Sequence, residues 1–260
     1  MGGVVCGILY AVIAFAPASW LARSLAISSG GQVLLQAPRG TIWLGSADLV
    51  LSGGEGSAGA ARLPSRLNWQ ISPVWLGLEV SLSAECCTPA ASPVQLGLRS
   101  NTLSEMPNVK WRLSAAQLSL PAQLLAGLGA PWNTLQLSGE LLFTSDQLVG
   151  VWSAQGLQSL MGRSALQVNH VATALSTVRP LGSYLLTSAG AALRLETLAR
   201  APNEAALILT GTGQIESGRV SFQGEALAAK GFEEALSNLL HIVGQWQTSA
   251  DGRSRSILKL

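Results

Sequence analysis

The chain has 260 residues, of which 48% are hydrophobic and only 12% charged, about half the charged fraction of an ordinary soluble domain. Apolar content this high excludes disorder. Sixteen basic and 14 acidic residues with no basic block exclude a nucleic-acid partner read by charge, and 28 Gly and 11 Pro spread through the chain argue against an all-helical bundle.

Gly2 to Leu21 carries no formally charged residue. A helix of that length would span about 30 Å, the thickness of a hydrocarbon core. The expectation is a single transmembrane anchor over 1–22, with Val4, Ile8, Leu9, Val12, Ile13 and Phe15 facing lipid and Trp20 and Arg23 at the interface. The rival is a cleaved signal peptide. Ala16-Pro17-Ala18 has the small-x-small form, but a basic n-region is missing. Either way, the chain beyond about Arg23 is expected to be exported.

The body, 23–260, alternates apolar and polar residues with period two. Leu67, Trp69 and Ile71 alternate with polar neighbours in 66–72, and the pattern returns at 78–85, 94–99, 109–115, 135–143, 165–173, 193–198 and 218–226. Such alternation makes an antiparallel sheet with one apolar face. Its wet face is built from Ser, Thr, Gln and Asn, which accounts for the low charge. The fold class is therefore mainly β: a long, curved, mostly antiparallel amphipathic sheet, divisible into two halves near 116–133.

Two stretches break the period. Pro121 to Gly129 predicts a short helix. In 231–246, Phe232, Ala235, Leu236, Leu239, Leu240 and Val243 form one helical stripe. Glu233 and Glu234 stand at its amino end and Gly244 is placed to stop it. Leu236, Leu239 and Leu240 are expected to pack across the apolar sheet face. Trp43, Trp69, Trp111 and Trp152 recur at spacings of 26, 42 and 41, too uneven for a strict repeat, and each is expected in the sheet core or in a groove along it.

Chemistry-bearing patterns are few. His170 is expected as a hydrogen-bonded imidazole on the sheet and His241 in the last helical turn. No GxSxG elbow, CxxC or zinc spacing occurs, and no catalytic residue, metal ligand or cofactor is expected. Cys6 lies in the apolar run. Cys86 and Cys87 are adjacent, a pair that seldom bonds to itself; intermolecular pairing and two reduced thiols are the alternatives.

Several segments then resemble one family in order: PRGTIWLG at 38–45, LNWQISPVWLGLEVSL at 67–82, RPLGSYLL at 179–186, GTGQIESGRVSFQGEALA at 211–228, the EEALSNLLHIVGQ helix and a short strand after DGR at 251–253. They are similar to the type II secretion system protein N family of Gram-negative bacteria. The resemblance implies a single-pass inner-membrane protein with a periplasmic β domain, without catalysis or cofactor. Its partners would be other inner-membrane or periplasmic secretion-system subunits. Two functions stand side by side: a scaffold that offers sheet edges to partners, and a periplasmic carrier that binds lipid or another amphiphile along an open apolar sheet face.

Overall fold

The computed structural model describes residues 11–54, 59–101, 108–130, 132–153, 156–199, 204–216, 218–248 and 254–259. It is mainly β, with antiparallel sheets and few helices. Helix α1 is Ala18–Ser28, followed by β1 (Val33–Gly40), β2 (Leu44–Ser52), β3 (Ala60–Arg62), β4 (Leu67–Val74), β5 (Gly77–Ala84), β6 (Val94–Asn101) and β7 (Asn108–Leu113). Strand β8 (Ala116–Pro121), a 3-10 turn (Ala122–Leu128) and the single-turn α2 (Trp132–Leu135) lead to β9 (Ser138–Ser145), β10 (Leu148–Ser153), β11 (Gly156–Met161) and β12 (Arg163–Ala172). Then come β13 (Gly182–Ala189), β14 (Ala192–Thr197), β15 (Leu207–Glu216), β16 (Arg219–Ala228), α3 (Glu233–Val243), β17 (Gln245–Thr248) and β18 (Ser254–Lys259).

Two nine-stranded sheets result, ordered β1-β2-β4-β5-β6-β7-β10-β11, with β3 on β2, and β8-β9-β12-β13-β14-β15-β16-β18-β17. They are not separate. Leu113 pairs with Leu148 and Ala116 with Ser145, so one register passes from β7–β10 into β8–β9. On the other flank β11 turns into β12 through Gly162 alone. Its φ of +107° suits glycine, and a Cβ there would run into the Gln147 carbonyl oxygen. The chain thus changes sheet at 114–115, 146–147 and 162.

Residues directly opposite on paired strands share a face. Leu35, Leu49, Trp69, Leu82 and Val94 therefore lie on one side of the first sheet, and Leu120, Leu141, Val168 and Tyr184 on one side of the second. The two apolar faces meet where Leu120 packs with Leu49, Leu51, Ala84 and Leu124. Helix α1 covers the outer end of the first sheet, with Ala18, Leu21, Ala22 and Leu25 on Leu35, Ala47 and Trp69. Helix α3 covers the far end of the second, with Leu236, Leu239 and Leu240 among Leu181, Tyr184, Leu207, Ala226 and Ala228.

Several expectations need correction. The uncharged amino-terminal run does not continue as one helix to Leu21: Pro17 is extended, with φ −70° and ψ 148°, and bridges to Thr41. A proline there withholds the amide that a continuing helix would use, and α1 begins anew at Ala18. No helix among the described residues is long and apolar enough to cross a membrane. Residues 1–10, with Val4, Cys6, Ile8 and Leu9, lie outside the described residues. The short helix expected over 121–129 does form, as a 3-10 helix over Ala122–Leu128 between Pro121 and Gly129. Ala235 is exposed, away from the buried stripe of α3. Gly244 follows α3 in extended conformation, not as a left-handed cap; the strand beside it leaves no room, since a Cβ would sit 2.6 Å from Ser256 Oγ. His170 is exposed at φ +50°, in the bulge where the β12–β13 register shifts, and its backbone N–H donates to Ser183 Oγ at 3.1 Å. Cys86 and Cys87 are joined to each other.

Two side chains allow direct tests. Trp69 is 3% exposed, so Trp69→Ala should cost about 3–5 kcal/mol in urea unfolding of the detergent-solubilised chain; a negligible loss would remove Trp69 from the core. Tyr184 is buried and donates its hydroxyl to the Leu207 carbonyl at 2.9 Å, and burial pushes its phenol pKa well above the ordinary range. The neutral form is the one the fold favours. Its contribution is complete below the unfolded-state pKa of about 10 and is lost as pH rises beyond it. The melting temperature should therefore fall above about pH 10, and less steeply in Tyr184→Phe.

Candidate functional site

The four tryptophans expected in a core or groove end in four different settings. Trp69 is the buried one, with its indole N–H donating to the Ile42 carbonyl at 3.1 Å. Trp43, half-buried, donates to the Ile13 carbonyl at 2.8 Å and so ties the amino-terminal turn to the β1–β2 loop. Trp111 is half-buried and lies over Gly150 on the neighbouring strand, where a Cβ would stand 2.5 Å from the indole. Trp152 is exposed, opposite Val109 one row nearer the end of the sheet. Ile71 is half-buried beneath α1. Leu236, Leu239 and Leu240 are fully enclosed. Of the anchor residues in the described region, Val12, Ile13, Phe15 and Trp20 are all exposed.

Between the two covered ends the apolar face is only partly hidden. Leu96, Leu98, Trp111 and Leu113 on the first sheet and Phe143, Leu166, Leu186 and Leu193 on the second are half-buried, and none belongs to a buried cluster. Helix α3 overlies strands near the carboxy-terminal edge and α1 those near the other. The 3-10 turn and the Cys86–Cys87 pair fill the gap between β2, β5 and β8. A strip of leucine side chains is left between the covers.

The second feature is an open strand edge. Ser52 N–H donates to the Gln32 carbonyl at 2.9 Å, which makes Gln32 and its alternates the residues hydrogen-bonded to β2. Val33 and Leu35 therefore turn their peptide groups to the other side of β1. The Val33 N–H is taken by Ser29 Oγ at 3.1 Å. Leu35 faces a side on which no described strand lies. Downstream, the edge is blunted at Ala37 and Pro38: the Ala37 backbone is left-handed, φ +44°, and its carbonyl accepts from Arg66 Nη2 at 2.8 Å. Arg66 in turn pairs, with Arg62, to Asp48 at 3.3 and 2.6 Å. A bulge and a proline are a common defence of sheet edges, and Ser29 Oγ also donates to the Val33 carbonyl at 3.4 Å, so the part of β1 open to a partner is the Leu35 peptide.

Among the described residues no three His, Cys, Asp or Glu side chains come together as metal ligands. His170 lies on β12 and His241 on α3.

Two features escaped the sequence reading. One is the β4–β5 hairpin tip, where Trp75 is 85% exposed and Leu76 adopts φ +56°. The available signal was a turn, PVWLG, with apolar residues where Asn or Gly would be expected. The other is a basic outer surface of Arg99, Lys110 and Arg112, brought together by the β5–β6–β7 register; the separation of these residues along the chain hides it.

Neither the curated proteins nor the solved structures contain a significant match to this chain. The sequence model of type II secretion system (T2SS) protein N matches residues 31–255, from the residues before β1 into β18, and so includes both sheets and the three places where the chain passes between them. The chain belongs to the type II secretion system protein N family.

Proposed function

We propose that this chain is a non-catalytic scaffold of the type II secretion machine, placed at the Gram-negative inner membrane by its amino-terminal apolar run with both sheets in the periplasm. Membership of the family supports involvement in type II secretion and an envelope location. The Cys86–Cys87 bond agrees with an oxidising compartment. The observation that carries the scaffold reading is the open edge of β1 at Leu35, whose backbone N–H and C=O face away from β2, where a partner strand can add. The partners that fit are other inner-membrane or periplasmic subunits with a free strand of their own.

A photo-crosslinking residue at exposed Gln36, in the full chain in native membranes, should capture a secretion-system subunit. The same residue at exposed Thr212, on the polar face of β15, should capture none. Equal yields at the two positions would sink the edge as the contact.

A second reading, a carrier of lipid or another amphiphile, is favoured by the half-buried leucine strip between α1 and α3. Mass spectrometry of protein purified from gently solubilised membranes separates the two. The scaffold predicts stoichiometric secretion subunits and no stoichiometric lipid, whereas the carrier predicts bound phospholipid or lipopolysaccharide without those subunits.

A further inference from the structure

We infer that the hairpin end of the first sheet is a membrane-interface lip, seated on an anionic bilayer surface through Trp75 and Leu76 with Arg99, Lys110 and Arg112 behind them. The tip sacrifices two ordinary advantages of a turn. Trp75 is 85% exposed and Leu76 nearly half exposed, so neither gains from burial within the chain. Leu76 also holds φ +56°, a conformation that Gly or Asn would adopt without strain. Large apolar side chains kept on a strained, solvent-facing turn indicate a surface that something else covers.

The register says where that surface extends. Gly77, next to the tip, pairs with Arg99 and Arg99 with Lys110; Ser100 N–H donates to the Leu76 carbonyl at 2.9 Å. Ser100 pairs with Val109, and Val109 with Trp152. Leu76, Val109 and Trp152 thus stand in one row at one end of the sheet, and all three are exposed. Indole rings at such an edge suit the headgroup level of a bilayer, where one side of the ring is wet and the other apolar.

The occupant is fixed by what lies beside and behind this row. Beside it is the amino-terminal run: the Ile42 N–H donates to the Ala16 carbonyl at 2.9 Å, and the Ile71 N–H to the Trp43 carbonyl at 2.6 Å. The exposed Ile13 and Phe15 are thereby held beside β4, whose following turn is Trp75-Leu76. Behind the tip, Arg99 and Lys110 stand in the Gly77 row, about 3.3 Å along the strands from the Leu76 row, with Arg112 further along on the same outer face. All three are exposed, and no ion pair joins them to a carboxylate among the described residues. Glu79, opposite Gly97 beside Arg112, is the acidic group in the rows these three residues occupy. An apolar aromatic row in front and net positive charge behind match an anionic lipid surface.

The inference rests on the membrane placement proposed above, and the test separates the two. Full-length protein labelled with 5-fluorotryptophan is reconstituted in nanodiscs of zwitterionic lipid with and without phosphatidylglycerol, and the Trp75 and Trp69 fluorine resonances are assigned with Trp75→Phe and Trp69→Phe. Doxyl-labelled lipid should broaden Trp75 at least about threefold more than Trp69, and more so with phosphatidylglycerol present. Arg99→Glu/Lys110→Glu/Arg112→Glu should abolish the phosphatidylglycerol increment while the protein stays on the disc. Broadening of Trp75 by a water-soluble nickel chelate instead overturns the lip but leaves the membrane placement standing. Insensitivity to both probes means that a second copy or a partner subunit covers the tip, and likewise overturns it. A triple variant that behaves as wild type overturns the role of the basic residues, and protein that leaves the disc overturns lip and placement together.

Discussion

The register that β7–β10 and β8–β9 share across the corner between them is the constraint on which the rest of the molecule depends. Because paired strands must turn together, the corner at 114–115 obliges a corner at 146–147, and the neighbouring strand needs its own relief at Gly162. Two nine-stranded sheets are thereby set with their apolar faces toward each other instead of extending as one plane. An open sheet of that many strands tends to curl or split. Here the split falls between successive strands that keep one register across the corner, so the halves remain aligned.

That arrangement limits how much of the apolar face can be hidden. Two helices of 11 residues each lie on opposite ends, and the 3-10 turn seals the corner near Cys87. The residues of intermediate exposure, Leu96, Leu98 and Leu113 on one sheet and Leu166 and Leu186 on the other, lie in between and belong to none of the buried clusters. The open edge at β1 and the leucine strip are therefore consequences of one geometry, which is why scaffold and carrier readings arise from the same chain.

How far this was legible in the sequence differs by element. Strands with strict alternation, such as β4 through Trp69 and Ile71 or β7 through Val109 and Trp111, could be read directly, as could α3 from its leucine stripe. Strand β1 was not. VLLQAPRG has adjacent leucines and a proline, so period two is masked. The amino-terminal run misled because composition cannot register Pro17 as an interruption until Thr41 and Ile42 are seen to take the neighbouring backbone groups. Open edge, hairpin tip and basic trio each depend on register, which places residues far apart in sequence side by side and leaves no local signature.

Strand β18 lies between β16 and β17, and β17 has no other partner among the described strands. In order of synthesis β17 is made first, immediately after α3, and then waits for a segment that has not yet emerged. Until residues 254–259 pair with β16, the sheet beneath α3 ends at β16, without β18 and β17, and Leu258, part of the cluster that the helix covers, is absent. The second half of the fold therefore closes from the inside, by insertion of its latest strand. A nascent chain halted before that point would present β16 as a free edge, so the order of emergence itself exposes a pairing surface that the finished protein conceals.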